Sequence, residues 1–156
     1  MATVPLLRCC LHTDSLHIVT GRKLQPGADA AADALLEGAR RGDYPLYVLF
    51  PGPGAEDLGS LAEGPEHVAR LTVATARRSV AAPAYLLLVI DGTWRQAKEM
   101  YRASSPLPAV NSQVGYVTTY EAAARALALL ERDPSLAPTL LAPLRLLTRL
   151  QVCNSP

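Results

Sequence analysis

Two apolar runs stand out from the rest of the chain: PLYVLF, Pro45 to Phe50, and YLLLVI, Tyr85 to Ile90. Neither alternates with polar residues, and both stop abruptly, the first at PGPG and the second at Asp91-Gly92. A strand with one wetted face alternates, so an unbroken run reads as a strand covered on both faces. Helical patterns lie around them. Asp29 to Arg41 is alanine-rich and ends in two arginines before Gly42, where cations suit a helix C-terminus. Glu66 to Val80 spaces Val68, Leu71 and Ala74 as a helix face. Tyr120 to Arg132 and Ala137 to Val152 read as two further helices, with Pro143 starting or kinking the second. Short strands are expected at Ser15 to Val19 and Gln113 to Thr118. Buried strands separated by helices predict an α/β domain with a largely parallel sheet flanked by helices.

The 156 residues, 49% of them hydrophobic, fit one domain that buries a core without metal or disulfide staples. The adjacent Cys9 and Cys10 and the remote Cys153 form neither a disulfide framework nor a CxxC knuckle. A reducing intracellular compartment, cytoplasmic or nuclear, is therefore expected, with no metal. No stretch has the roughly 18 apolar residues of a membrane span. A net charge of +1 places any nucleic-acid contact in local charge rather than in an overall basic excess.

Local charge is concentrated after the second apolar run. In parallel sheets, ligands collect beyond the carboxyl ends of strands, and Asp91 is expected at such an end. Gly92 permits a sharp turn or close approach to the backbone, and Thr93-x-x-Gln96 has the form of a capping box that starts a helix at Trp94. At 3.6 residues per turn Arg95, Lys98 and Arg102 share one stripe, and Trp94, Ala97 and Tyr101 share its neighbour. Cations beside aromatic rings suit phosphates and flat bases. The same residues also serve as strand end, cap, core and solvated surface, an ordinary combination that needs no ligand. Thr118-x-x-Glu121 repeats the capping grammar before EAAARALALLE, where the helix dipole alone favours an acid.

DGTWRQAKEM resembles the signature of the DTW-domain family, tRNA-uridine aminocarboxypropyltransferases, and TTYEAAARALALLE resembles that family's second motif and the helix after it. PLYVLFPGPGAEDL is similar to the family's apolar strand and Pro-Gly loop, and TVPLLRCCL to its Thr-x-x-Leu-Leu helix. The resemblance implies one domain over 1–156, of SPOUT-like α/β fold with a knotted C-terminal part. It implies transfer of the 3-amino-3-carboxypropyl group of S-adenosylmethionine (SAM) to N3 of a tRNA uridine, leaving methylthioadenosine. Asp91, Thr93 and Trp94 correspond to the catalytic set. Pro51, Gly52, Gly92, Thr119 and Glu121 correspond to the SAM site, and Arg95, Lys98 and Arg102 to the tRNA surface.

The chain departs from the family in lacking a zinc-knuckle-like segment, an N-terminal strand with a His-Pro-x-Glu loop, and an Arg-x-x-Pro element between Pro108 and Thr118. It therefore reads as an N-terminally shortened member. The alternative is a catalytically impaired tRNA-binding module of the same family. A nucleotide-binding α/β protein of another class, such as a phosphatase or hydrolase with PGPG as a phosphate loop, ranks last, because PGPG lacks both the P-loop and the dinucleotide fingerprints. His12, His17 and His67 have no partner spacing for a metal or a triad, and are assigned surface or packing roles.

Overall fold

The structure, a computed structural model, describes residues 3–51, 54–77, 83–104, 109–111 and 118–153. Among the described residues four parallel strands, β1 (Leu46–Leu49), β2 (Glu56–Asp57), β3 (Leu86–Val89) and β4 (Ala109–Asn111), form one sheet in the order β2-β4-β1-β3. Both apolar runs are thus strands, and they are neighbours: Leu46 pairs with Leu86 and Leu49 with Val89. Among the described residues seven helices accompany them: α1 (Thr3–Cys10), α2 (Ala30–Arg40), α3 (Leu58–Glu63), α4 (Pro65–Arg77), α5 (Trp94–Ala103), α6 (Thr119–Leu130) and α7 (Leu136–Cys153).

The unbroken hydrophobicity of β1 follows from its place between two layers. Tyr47 points to a cluster with Leu58 and Ala62 of α3 and Ala126 and Leu130 of α6. Its neighbour Val48, with Phe50, packs on Ala97 of α5 against the opposite face. Leu58, Leu130 and Val48 are fully enclosed, and each contributes on the order of 1.5–3 kcal/mol of burial. In α6 the buried face carries Ala123, Ala124 and Ala126. These small side chains let α7, α3 and α1 pack closely around it. Leu7 of α1 and Leu140 and Leu141 of α7 complete a third cluster around Tyr120.

Several boundaries follow from local chemistry. Asp29 caps α2 by accepting the Ala32 N–H at 2.9 Å, and Gly42 at φ +82° supplies the left-handed residue just past the helix. Pro143 lies inside α7 and does not start it. The strand expected at Ser15 to Val19 is absent. Thr13–Ser15 is a single 3-10 turn, and the extended residues after it have no strand partner. Leu16 still packs against the Tyr120 cluster, while His17 pairs with Asp29 at 2.9 Å. Alternation there reflects one-sided packing without a ladder. The strand expected at Gln113 to Thr118 falls outside the described residues, except for Thr118, which is a helix cap. The short elements α3, β2 and β4 carry too few residues for a periodicity to show.

Candidate active site at the carboxyl ends of the strands

Register places the corner. Because Leu49 and Val89 are partners, Phe50-Pro51 and Ile90-Asp91 leave the sheet side by side at its carboxyl edge. Asp91 is exposed, and its carboxylate has no hydrogen bond or ion pair with any described residue. Two residues on, the capping box forms as expected: Gln96 N–H donates to Thr93 Oγ1 at 3.3 Å, and Gln96 Oε1 accepts the Thr93 N–H at 2.9 Å. The Thr93 hydroxyl also donates to Gln96 Oε1 at 2.9 Å, so the side chain is committed to the cap. Gly92 is not among the glycines at positive φ, and a Cβ there would meet Gln96 Cβ at 3.4 Å, an ordinary contact. The fold does not demand glycine at this position, and its bare backbone leaves the approach to the strand end open.

On α5 the two predicted stripes are real. Ala97 is buried, and Tyr101 stacks on Phe50 with ring centroids 4.4 Å apart and planes 8° apart. Trp94 also lies parallel to Phe50, at 5.7 Å and 9°, yet remains 54% exposed. The cationic stripe faces solvent. Arg95 pairs with Glu99 at 3.3 Å, Lys98 Nζ stands 4.9 Å from the Trp94 ring centroid, and Arg102 is exposed in the last turn.

The second motif opens α6. Thr118 Oγ1 accepts the Glu121 N–H at 3.2 Å, but the reciprocal half of the expected box is replaced by an ion pair. Glu121 Oε1 accepts from both Arg125 Nε at 3.0 Å and Nη2 at 2.6 Å. Thr119, half-buried, is the first residue of the helix. Val89, two residues before Asp91, packs against the cluster that contains Tyr120, so the start of α6 and the end of β3 lie on the same side of the core. Pro51 is exposed at the end of β1, and Gly52 lies outside the described residues.

Two residues of the site escaped sequence reasoning. Phe50 joins the end of β1 to the start of α5, and its only sequence signal is its position as the last residue before PGPG. Arg125 orders Glu121, and its four-residue spacing from that acid was the available sign. His67 is a packing residue: it is buried, it bonds the Leu130 carbonyl at 2.8 Å through Nε2, and it rests among Tyr47 and Tyr85. Nε2 must therefore carry the proton. A separate cleft of ≈ 630 Å³, lined by Leu16, His17, Leu35, Tyr44 and Pro83 among others, contains none of the predicted site residues. Its ionisable side chains already have partners: Arg41 lies against Asp43, His17 against Asp29 and Asp14 against His12. Among the described residues no group of three His, Cys, Asp or Glu side chains is arranged for a metal, and no helix is long and apolar enough to cross a membrane.

Fold and corner define an α/β domain with a parallel sheet and a candidate ligand site beyond the ends of two adjacent strands. The DTW domain matches residues 1–112, and the chain belongs to the DTW-domain family. It is 29% identical over 173 aligned residues to tRNA-uridine aminocarboxypropyltransferase 2 of Mus musculus, a match covering 97% of this chain and 50% of that protein. To the protein of the same name in Macaca fascicularis it is 27% identical with the same coverage. To that of Drosophila melanogaster it is 40% identical over 88 residues, 45% of this chain and 35% of the relative. The chain spans about half the length of the mouse and macaque relatives it matches. An alignment of 173 residues exceeds the 156 of this chain, so the mouse protein has residues within the aligned region that this chain lacks. No solved structure matches the chain.

Proposed function

We propose that the chain is a tRNA-modifying transferase that moves the 3-amino-3-carboxypropyl group of SAM to N3 of a uridine. In this reaction the uridine N3 forms a bond to the carbon beside the sulfonium. The carbon–sulfur bond breaks, its electron pair neutralises the sulfur to leave methylthioadenosine, and the N3 proton departs to a base. The observation that carries the reading is the exposed carboxylate of Asp91 at the end of β3, without a hydrogen-bond or ion-pair partner among the described residues and inside the segment matched by the DTW domain. In this reading Asp91 takes the proton or offsets the sulfonium charge. Thr93 contributes by fixing where α5 begins, and Trp94 forms a wall of the site.

SAM is assigned to Pro51, Gly52 and Gly92 at the strand ends and to Thr119 and Glu121 at the start of α6. Fit is favoured by the open backbone at Gly92 and by the Glu121 carboxylate, which Arg125 holds at the start of α6 and which suits the ammonium of the transferred chain. Arg95, Lys98 and Arg102 are assigned to tRNA phosphates. The small parallel sheet flanked by helices is the architecture observed, and the SPOUT-like fold with a knotted C-terminal part is assigned on the family resemblance. We assign the whole of 1–156 to one such domain.

Incubation with unmodified tRNA and SAM labelled in its aminocarboxypropyl chain tests the reading. Label should enter the tRNA, and Asp91→Ala should lower the rate by at least about a hundredfold, the scale of a lost general base. If tRNA stays unlabelled and Asp91→Ala matches the parent, the transferase reading of this chain is wrong. A second reading, a tRNA-binding module without catalysis, is favoured by the exposed cations of α5. It requires salt-sensitive tRNA binding without SAM binding, and micromolar SAM affinity by calorimetry rejects it.

A further inference from the structure

Building on the reading of this corner as an RNA-modifying site, we infer that Trp94 is a preformed stacking platform for an RNA base, that Phe50 is its positioning residue, and that the platform serves RNA and not SAM. Tyr101, Phe50 and Trp94 form a parallel ladder from the half-buried face of α5 outward. Tyr101 and Phe50 lie 4.4 Å apart, and Phe50 and Trp94 5.7 Å apart. Phe50 is buried and fixed by the end of β1, so it locks the indole plane relative to the strand ends. A half-exposed tryptophan held this way gives up conformational freedom before a ligand arrives, and a flat ligand pays less to bind.

Charge decides which flat ligand. Lys98 Nζ stands 4.9 Å from the indole centroid, with Arg95 one turn back and Arg102 one turn on along the same helix. SAM carries a sulfonium cation, which a lysine at that distance repels. A nucleotide brings a phosphate next to its base, which the same lysine attracts. Lys98 therefore covers the indole in the free protein and turns to phosphate when a base takes its place. SAM is left with the acidic side of the site, at Asp91 and Glu121.

The sole tryptophan of the chain makes its own fluorescence a report of this site alone. A short single-stranded oligouridine should quench it without SAM, and an abasic oligonucleotide of equal length should quench it weakly. Phe50→Leu should weaken oligouridine binding roughly tenfold or more, as expected for a lost stacking contact, while Phe50→Tyr restores it. Lys98→Gln should reduce the salt dependence and keep the preference for bases. The inference fails if uridine and abasic strands quench alike, if SAM quenches and oligouridine does not, or if a folded Phe50→Leu binds oligouridine like the parent. The uridine-versus-abasic comparison needs only the unaltered protein, so misfolding of a variant does not shield the inference. Label transfer to tRNA with equal quenching by the two strands sinks the platform alone, whereas base-dependent quenching without label transfer sinks the transferase reading alone.

Discussion

Gly92 and Thr93 are adjacent, and the fold depends on them unequally. Thr93 is bonded three ways to Gln96, so Thr93→Ala should destabilise the protein by about 1 kcal/mol, the usual value of an N-cap. Gly92 makes no such contribution. A methyl group there meets Gln96 at an ordinary distance, and the backbone is not left-handed. Gly92→Ala should leave stability unchanged or raise it by about 0.4–1 kcal/mol through the unfolded state. If Gly92 lies against SAM, the same change should weaken SAM binding by roughly tenfold, about 1.4 kcal/mol. Urea denaturation and calorimetry on the two variants separate the roles, and a Gly92→Ala that unfolds easily while binding SAM normally contradicts the assignment.

Among the elements, α6 is the pivot, and two tyrosines pin its ends. Tyr120 at its start donates to the Leu140 carbonyl of α7 at 2.5 Å and lies 3.4 Å from Cys10 Sγ of α1. Pro143 removes the bond that the Thr139 carbonyl would receive, so Tyr120 ties down α7 where its ladder is weakest. Tyr120→Phe should cost about 1–3 kcal/mol, because the Leu140 carbonyl loses a buried partner. At the other end the Tyr85 hydroxyl donates to Glu131, the C-cap of α6. Burial first, then the neighbouring Glu131 or Cys10, pushes both phenols well above their ordinary value of 10.0. A native state that holds these protons longer than the unfolded chain is fully stabilised below pH 10 and loses stability as pH rises further. In a spectrophotometric alkaline titration Tyr85 and Tyr120 should ionise only as the fold is lost. None of this was legible in the sequence. The unbroken runs of β1 and β3 announced a doubly covered sheet, and Thr93-x-x-Gln96 marked the start of α5 to the residue. Tyr120 and Tyr85 act across 20 and 46 positions of chain, distances over which no periodicity carries information. The paired motifs at Asp91 and Thr118 were visible as caps, and only resemblance raised them to a site. Phe50, which joins them to the ladder, read as one more core residue.

At the scale of the whole molecule, 15 basic and 14 acidic residues leave almost no net field, so affinity for a polyanion must come from cations left unneutralised in one place. Most described arginine pairs consume charge within a single element: Arg40 with Glu37, Arg70 with Glu66 and Arg125 with Glu121. On α5 Glu99 does the same to Arg95 at 3.3 Å, in a pair so exposed that it adds little stability. If tRNA binds this face, Glu99 competes with phosphate for Arg95, and Glu99→Gln should tighten tRNA binding at little cost to the fold. If the freed arginine gains one phosphate, the slope of log K against log salt should steepen by about 0.7–0.9. Arg95→Gln should act in the opposite sense and cancel the benefit of Glu99→Gln in the double variant. Glu37→Gln is the control, since it changes net charge equally by freeing Arg40 on α2. If both glutamine variants tighten tRNA binding alike, the gain is a global charge effect and the α5 face is not the tRNA surface. A gain confined to Glu99→Gln, measured by filter binding across a salt series, locates the polyanion on the helix that begins at Trp94.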